Sequence, residues 1–159
     1  MRRHFLTPLR TATILGLLAL AGSAWADGDQ RGPAVPPLPL FQQECGSCHL
    51  AFAPRLMGPQ GWQQLMAGLP RHFGSDASLD AASTASITRW LVANAQGKRA
   101  TESPPEGRIT RSAWFQRKHR EVAAATWQRP AVKSPTNCTA CHGGAEQGNF
   151  NEHDIRIPR

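Results

Sequence analysis

The sequence predicts a mostly α-helical protein with little or no sheet, built as two small lobes joined by a Pro/Gly-rich linker. Three observations lead there. Apolar residues recur at three- and four-residue spacing in several segments, and no segment shows the period-two alternation of a half-buried strand. The chain has four cysteines, and all of them fall in two copies of one motif, Cys-x-x-Cys-His, at Cys45 to His49 and Cys138 to His142. Between the copies lies GKRATESPPEG, whose Gly, Pro and charges interrupt regular structure.

The elements follow in order. Residues 1–26 read as a signal peptide: Arg2, Arg3 and Arg10 form a positive start, Ala12 to Ala21 an apolar run, and Ala24-Trp25-Ala26 a small-residue cleavage site. The competing reading is an uncleaved anchor, but the run is roughly ten to twelve residues where a bilayer needs ~20. Cleavage after Ala26 leaves an exported chain with no other long apolar stretch, so it does not span a membrane. Residues 27–39, DGDQRGPAVPPLP, form a Pro-rich arm.

The first lobe covers residues 40–96. LFQQECGSCHLAF predicts a short helix carrying the first motif. PQGWQQLMAGL predicts a second, with Pro59 early and Trp62, Leu65, Met66 and Leu69 on one face. SLDAASTASITRWLVANAQG predicts a third, with Ser78 as N-cap, an Ile87/Trp90/Leu91 stripe and Gly97 as its stop. The linker is 97–108 and the second lobe 109–159. There SAWFQRKHREVAAATW opens at Ser112 as one continuous fourth helix; the second motif and an irregular tail lie beyond Pro130.

Composition narrows the function. The full chain has 18 Lys+Arg and 11 Asp+Glu, a formal +7; the signal removes three Arg and no acid, so the remaining 133 residues carry +4. That charge is not a basic stripe interleaved with aromatics, which argues against nucleic acid. An ordinary solvated surface is the favoured reading, and steering toward an acidic partner is compatible with it. With no Tyr, 6 Phe and 5 Trp against 14 Gly and 13 Pro, side chains for a core are scarce. Something other than side chains is expected to fill part of the interior.

The cysteines identify that filling. Two disulfides, a tetrahedral zinc site or a redox dithiol would each use Cys-x-x-Cys pairs. None of them requires a histidine directly after both pairs. Covalent haem c attachment does: two thioethers form from one turn of chain, and the adjoining imidazole reaches the iron axially. The lobes are therefore c-type haem-binding lobes, with Cys45, Cys48 and His49 for one haem and Cys138, Cys141 and His142 for the other.

Each iron then needs a sixth ligand. Met66 sits on the stripe with Leu65 and Leu69, and core packing is favoured for it. Met57 lies in RLMGP, but only eight residues after His49, a short path round a haem edge. His119 shares a face with Phe115, Val122 and Thr126, and with an iron to cap, ligation is the favoured reading. His72 follows the second helix at a workable loop distance from the first motif. His153 lies among Asn, Glu and Asp and reads as a solvated tail residue. His72 is expected to serve the haem at His49 and His119 the haem at His142, with crossed ligation as the alternative.

The stretches CGSCHLAF, GWQQLMAGLPRHFGSDASLD, RITRSAWFQRKHREV and NCTACHGGAEQGNFNEHDIRIPR resemble the small dihaem cytochromes c of proteobacterial periplasm, often called DHC. The resemblance covers nearly all of the chain beyond the signal. It implies bis-histidine, low-spin, low-potential haems with His72 and His119 as distal ligands, and a periplasmic location. It also implies redox partners that are haem proteins, among them an oxygen-binding c-type cytochrome and a membrane b-type cytochrome. Two functional classes stand: an electron carrier with both irons closed, and a haem enzyme or gas-binding protein with one open iron site. Three histidines available for two irons favour the carrier, and no catalytic residue is expected.

Overall fold

The computed structural model describes residues 35–97, 100–101 and 103–159. The expected signal peptide, residues 27–34 of the arm, and Lys98, Arg99 and Glu102 of the linker lie outside the described residues. Among the described residues the regular structure is helical, with two isolated bridges in place of strands, His72 with Ser75 and His142 with Ile155.

Helix α1 spans Pro39–Cys45, α2 Pro59–Ala67, α3 Ala81–Asn94, α4 Ala113–Lys118 and α5 Ala124–Trp127, with short 3₁₀ turns between them. Proline opens both α1 and α2 at the first helical position, where its missing N–H costs nothing and its fixed φ suits the helix. Helix α1 is shorter than expected. It ends at Cys45, where the Gly46 N–H closes on the Gln42 carbonyl at 3.0 Å, and the rest of the motif lies in turns. Helix α3 begins two residues later than expected: Asp80, not Ser78, is its N-cap, accepting from the Ala82 and Ser83 amides at 2.9 Å. Ser78 instead donates its own amide to Asp76, in the turn before the helix. The far end also differs, since α3 stops at Asn94 and Gly97 follows at φ 111°.

The main core lies between α1, α2 and α3. Phe41, Met57, Trp62, Met66, Leu69, Ile87, Leu91, Ala95 and Ile109 form one buried cluster. Met57 is fully enclosed and packs beneath Gly61, where an added Cβ would come within 2.5 Å of the Met57 Cγ. Trp62 donates its indole N–H to the Pro54 carbonyl at 2.7 Å, and Trp90 donates to Pro36 at 3.0 Å, tying the arm to α3. Ile109, the first residue past the linker, is buried in this same cluster.

The expected long fourth helix is two helices. Ser112 caps it as expected, accepting from the Phe115 amide at 3.1 Å. The helix then ends at Lys118, and α5 resumes at Ala124. In one straight helix Trp127 would stand about 12 Å along the axis from His119, at ~1.5 Å per residue. The break instead folds α5 back, so that the Trp127 ring lies 5.7 Å from the His119 ring. Aromatic packing outweighs the few hydrogen bonds lost.

Candidate functional site

The first candidate centre is assembled by the end of α1 and the loop after α2. With the helix ending at Cys45, Cys48 and His49 turn away from the axis, and Cys45 is half-buried while Cys48 is exposed. A carbonyl can only accept, so the 2.8 Å contact from His49 Nδ1 to the Leu50 carbonyl puts the proton on Nδ1 and leaves Nε2 with its lone pair. His72 comes from a tight loop closed by the Ala77 amide on the Leu69 carbonyl at 3.0 Å. The turn beyond it runs through Phe73 at φ 50° and Gly74 at φ 102°, and a glycine takes the second of these without steric cost. The His49 and His72 rings stand 6.3 Å apart, centre to centre, with planes 22° from parallel.

The second centre repeats the arrangement with different parts. Cys138 opens a 3₁₀ turn that ends at Ala140, and His142 follows Cys141. His119 caps the end of α4 and donates its Nδ1 proton to the Phe115 carbonyl at 2.9 Å. Its ring stacks on Phe115 at 3.9 Å and 19°. His119 and His142 stand 6.2 Å apart with planes at 78°. His142 Nδ1 is buried without a hydrogen-bond partner. The C-terminal tail lies along this motif through the Arg156 amide to the Cys141 carbonyl at 2.9 Å and Arg129 to the Pro158 carbonyl at 2.6 Å.

These spacings test the fit of a shared metal. Two imidazoles on opposite sides of one metal ion have ring centres about 6 Å apart: two bonds of ~2 Å, and ~1 Å from each nitrogen to its ring centre. Both pairs meet that distance. Among the described residues no group of three or more His, Cys, Asp or Glu is placed to hold a metal ion. Each pair supplies two imidazoles, which is the share of ligands that a porphyrin iron leaves to the protein. Phe73 beside His72 and Phe150 beside His142, 42% and 40% exposed, offer apolar faces suited to such a plate.

The electrostatics point the same way. Burial, then the neighbouring His49 and Arg108, hold His72 below the usual histidine range. Burial and then His119 do the same for His142, so both favour the neutral form that ligates. Burial, followed by the Glu44 carboxylate, pushes the Cys45 thiol up to about 11. Burial also raises Cys138 and Cys141. Redox dithiols use lowered thiol values, and the raised values of Cys45, Cys138 and Cys141 run the other way.

All eight residues expected at the two centres thus lie in two clusters, and the fold pairs His49 with His72 and His119 with His142. Met57 and Met66 are core residues, and His153 is exposed. Sequence reasoning missed the Leu50 and Phe115 carbonyls, which orient imidazoles, and Trp127, which packs on His119. Phe115 was visible four residues before His119; a backbone acceptor leaves no side-chain signal.

The family model described as dihaem cytochrome c matches residues 41–150. Among solved structures, DHC purified from Rhodobacter sphaeroides is 44% identical, covering 74% of this chain and all of that one, with a TM-score of 0.63. A diheme cytochrome type c from Shewanella baltica is 37% identical, covering 78% of this chain and 95% of that one, with a TM-score of 0.68. No curated protein matches.

Proposed function

This chain belongs to the dihaem cytochrome c family, and on that footing we propose that it is a periplasmic one-electron carrier whose two irons are each closed by two imidazoles. As a family member it is a haem-binding cytochrome with two covalently bound haem c groups. In the proposed assignment Cys45 and Cys48 attach one haem and Cys138 and Cys141 the other, in lobes on either side of residues 97–108. His49 and His72 hold the first iron, and His142 and His119 the second. Each haem supplies an iron that changes oxidation state by one electron.

The protein's part is to hold those states in place. The single observation that carries the reading is the pair of histidine spacings, 6.3 and 6.2 Å. Held by two imidazoles, each iron would have no position left for a substrate, and the carbonyls that His49 and His119 meet would fix the orientation of those rings. Electrons then pass through partly exposed edges to other haem or redox proteins, such as an oxygen-binding c-type cytochrome or a membrane b-type cytochrome. Export through residues 1–26 accounts for the periplasmic location. Among the described residues no helix is long and apolar enough to cross a membrane.

Carbon monoxide tests the reading. The freshly reduced native protein is expected to show no spectral change under the gas. Stoichiometric binding at one haem would establish an open iron, and the enzyme or gas-binding reading would replace the carrier.

A further inference from the structure

We propose that the second lobe carries the docking surface and that its partner is an acidic one-electron redox protein, received beside His119 by the basic side chains at the end of α4. The proposal rests on the carrier reading and adds to it the side of the molecule used and the sign of the partner's charge.

The charge is divided unevenly. Residues 109–159 contain eight Lys or Arg and four Asp or Glu, a formal +4, whereas residues 40–96 contain three of each and are neutral. The whole excess of the exported chain therefore sits in one lobe. Within that lobe Arg117, Lys118 and Arg120 flank His119, against a single acid, Glu121, in the same run. Arg117 and Arg120 are exposed, and Arg120 borders a cleft of about 370 Å³ that His119 also lines. Lys118 reaches Glu152 at 3.0 Å, and Arg120 approaches Glu121 at 3.4 Å with side chains 74% and 86% exposed. An ion pair so open to water is weak and leaves the arginine able to meet a partner's carboxylate.

Two consequences follow for an approaching protein. Beyond about 8 Å at physiological salt single charges are screened, so the arginines nearest the His119 centre govern the final approach. At longer range the unequal lobes give the molecule a dipole that turns its basic end toward an acidic surface before contact. Phe150, 40% exposed and 5.3 Å from the His142 ring, adds apolar surface on the same lobe. Apolar area ringed by charge is the usual make-up of a transient interface.

The test uses the holoprotein and flavodoxin hydroquinone, an acidic one-electron donor that becomes the semiquinone as one ferric iron becomes ferrous. Arg117→Glu and Arg120→Glu are each expected to slow this bimolecular reaction by about three- to tenfold at low ionic strength. Arg89→Glu, an exposed position on α3, makes the same change in total charge and is expected to slow it less than about twofold. The differences should vanish near 1 M salt, where the screening length is about 3 Å. A neutral flavin semiquinone should reduce all the variants equally, which checks that the haem centres are intact. If Arg89→Glu slows flavodoxin as much as the other two, or if none does while the neutral flavin still reduces the protein, the docking surface is wrong and the carrier reading stands. The carrier reading fails on a separate readout, carbon monoxide binding.

Discussion

The two histidine pairs have nearly equal spacing and very different angles, 22° at His49/His72 and 78° at His119/His142. Parallel imidazole planes donate into the same iron d orbital and split the low-spin levels widely; crossed planes donate into both and leave them close. The ferric protein should therefore give two low-spin EPR signals, an ordinary rhombic one and one of larger anisotropy. His72→Ala should convert the rhombic signal to high spin and His119→Ala the anisotropic one, each leaving the other signal unchanged. If His153→Ala removed either signal while these did not, the tail would hold a ligand. A second single-residue prediction concerns Gly61. Alanine there would gain up to ~1 kcal/mol of helix propensity. Its Cβ, however, would meet the Met57 Cγ at 2.5 Å in a fully buried site, and overpacking costs about 1–3 kcal/mol. Crowding wins because the Met57 Cγ is close to its own backbone and has little room to yield. Thermal melting of Gly61→Ala should come about 3–6 °C lower.

At the scale of elements, the helix ends place the chemistry. Helix α1 stops at the first motif's first cysteine, and α4 stops just before His119, so the proposed ligands His49 and His119 lie beyond the helix ends. Helix α3 carries no ligand; it supplies the wall against which α2 packs, and Asp80 governs its start. Hydrogen bonds from Ser83 and then Ala82 hold the Asp80 carboxyl below the ordinary aspartate range. A value lowered by folding contributes stability above the unfolded value, about 3.9, and that contribution disappears as pH falls through the lower folded value. Asp80→Asn keeps the capping oxygen and loses the charge. The wild type should thus melt above the variant at pH 7, and the gap should close on acidification through pH ~4 and below. A gap that stays constant or widens toward acid would show that the charge is not the cause.

At the scale of the whole molecule, the buried apolar side chains are unevenly distributed along the chain. Among the described residues, the nine-residue cluster is drawn entirely from residues 41–109, while Phe115, Val132 and Ala145 are the buried apolar side chains beyond it. If the proposed lobes hold, side chains supply most of the first one's core, and the second would draw much of its apolar contact from its haem. Protein produced without haem attachment should keep slow amide exchange in α2 and α3 and lose it across residues 109–159. Hydrogen-exchange mass spectrometry reads this directly; equal protection of both lobes in the apoprotein would refute it. Ile109 qualifies the picture of independent lobes, because it buries the start of the second in the core of the first.

Much of this protein is local, and local information is legible in a sequence. Cys-x-x-Cys-His is a pattern of neighbouring residues, so the expectation of two haem c groups could be read before any fold was known, and the family bears it out. Helical spacing likewise marked α2, α3 and the Ser112 cap, because those depend on contacts within a few residues. Other features arise between segments far apart in the chain. That His72 faces His49 and His119 faces His142 depends on loops closing, and spacing alone left crossed pairing open. The break after Lys118 was invisible because helix propensity runs on through it, and only the packing of Trp127 against His119 and Phe115 overrides that preference. Backbone carbonyls at Leu50 and Phe115 orient two imidazoles, yet every residue has a carbonyl, and only the fold decides which ones a histidine meets.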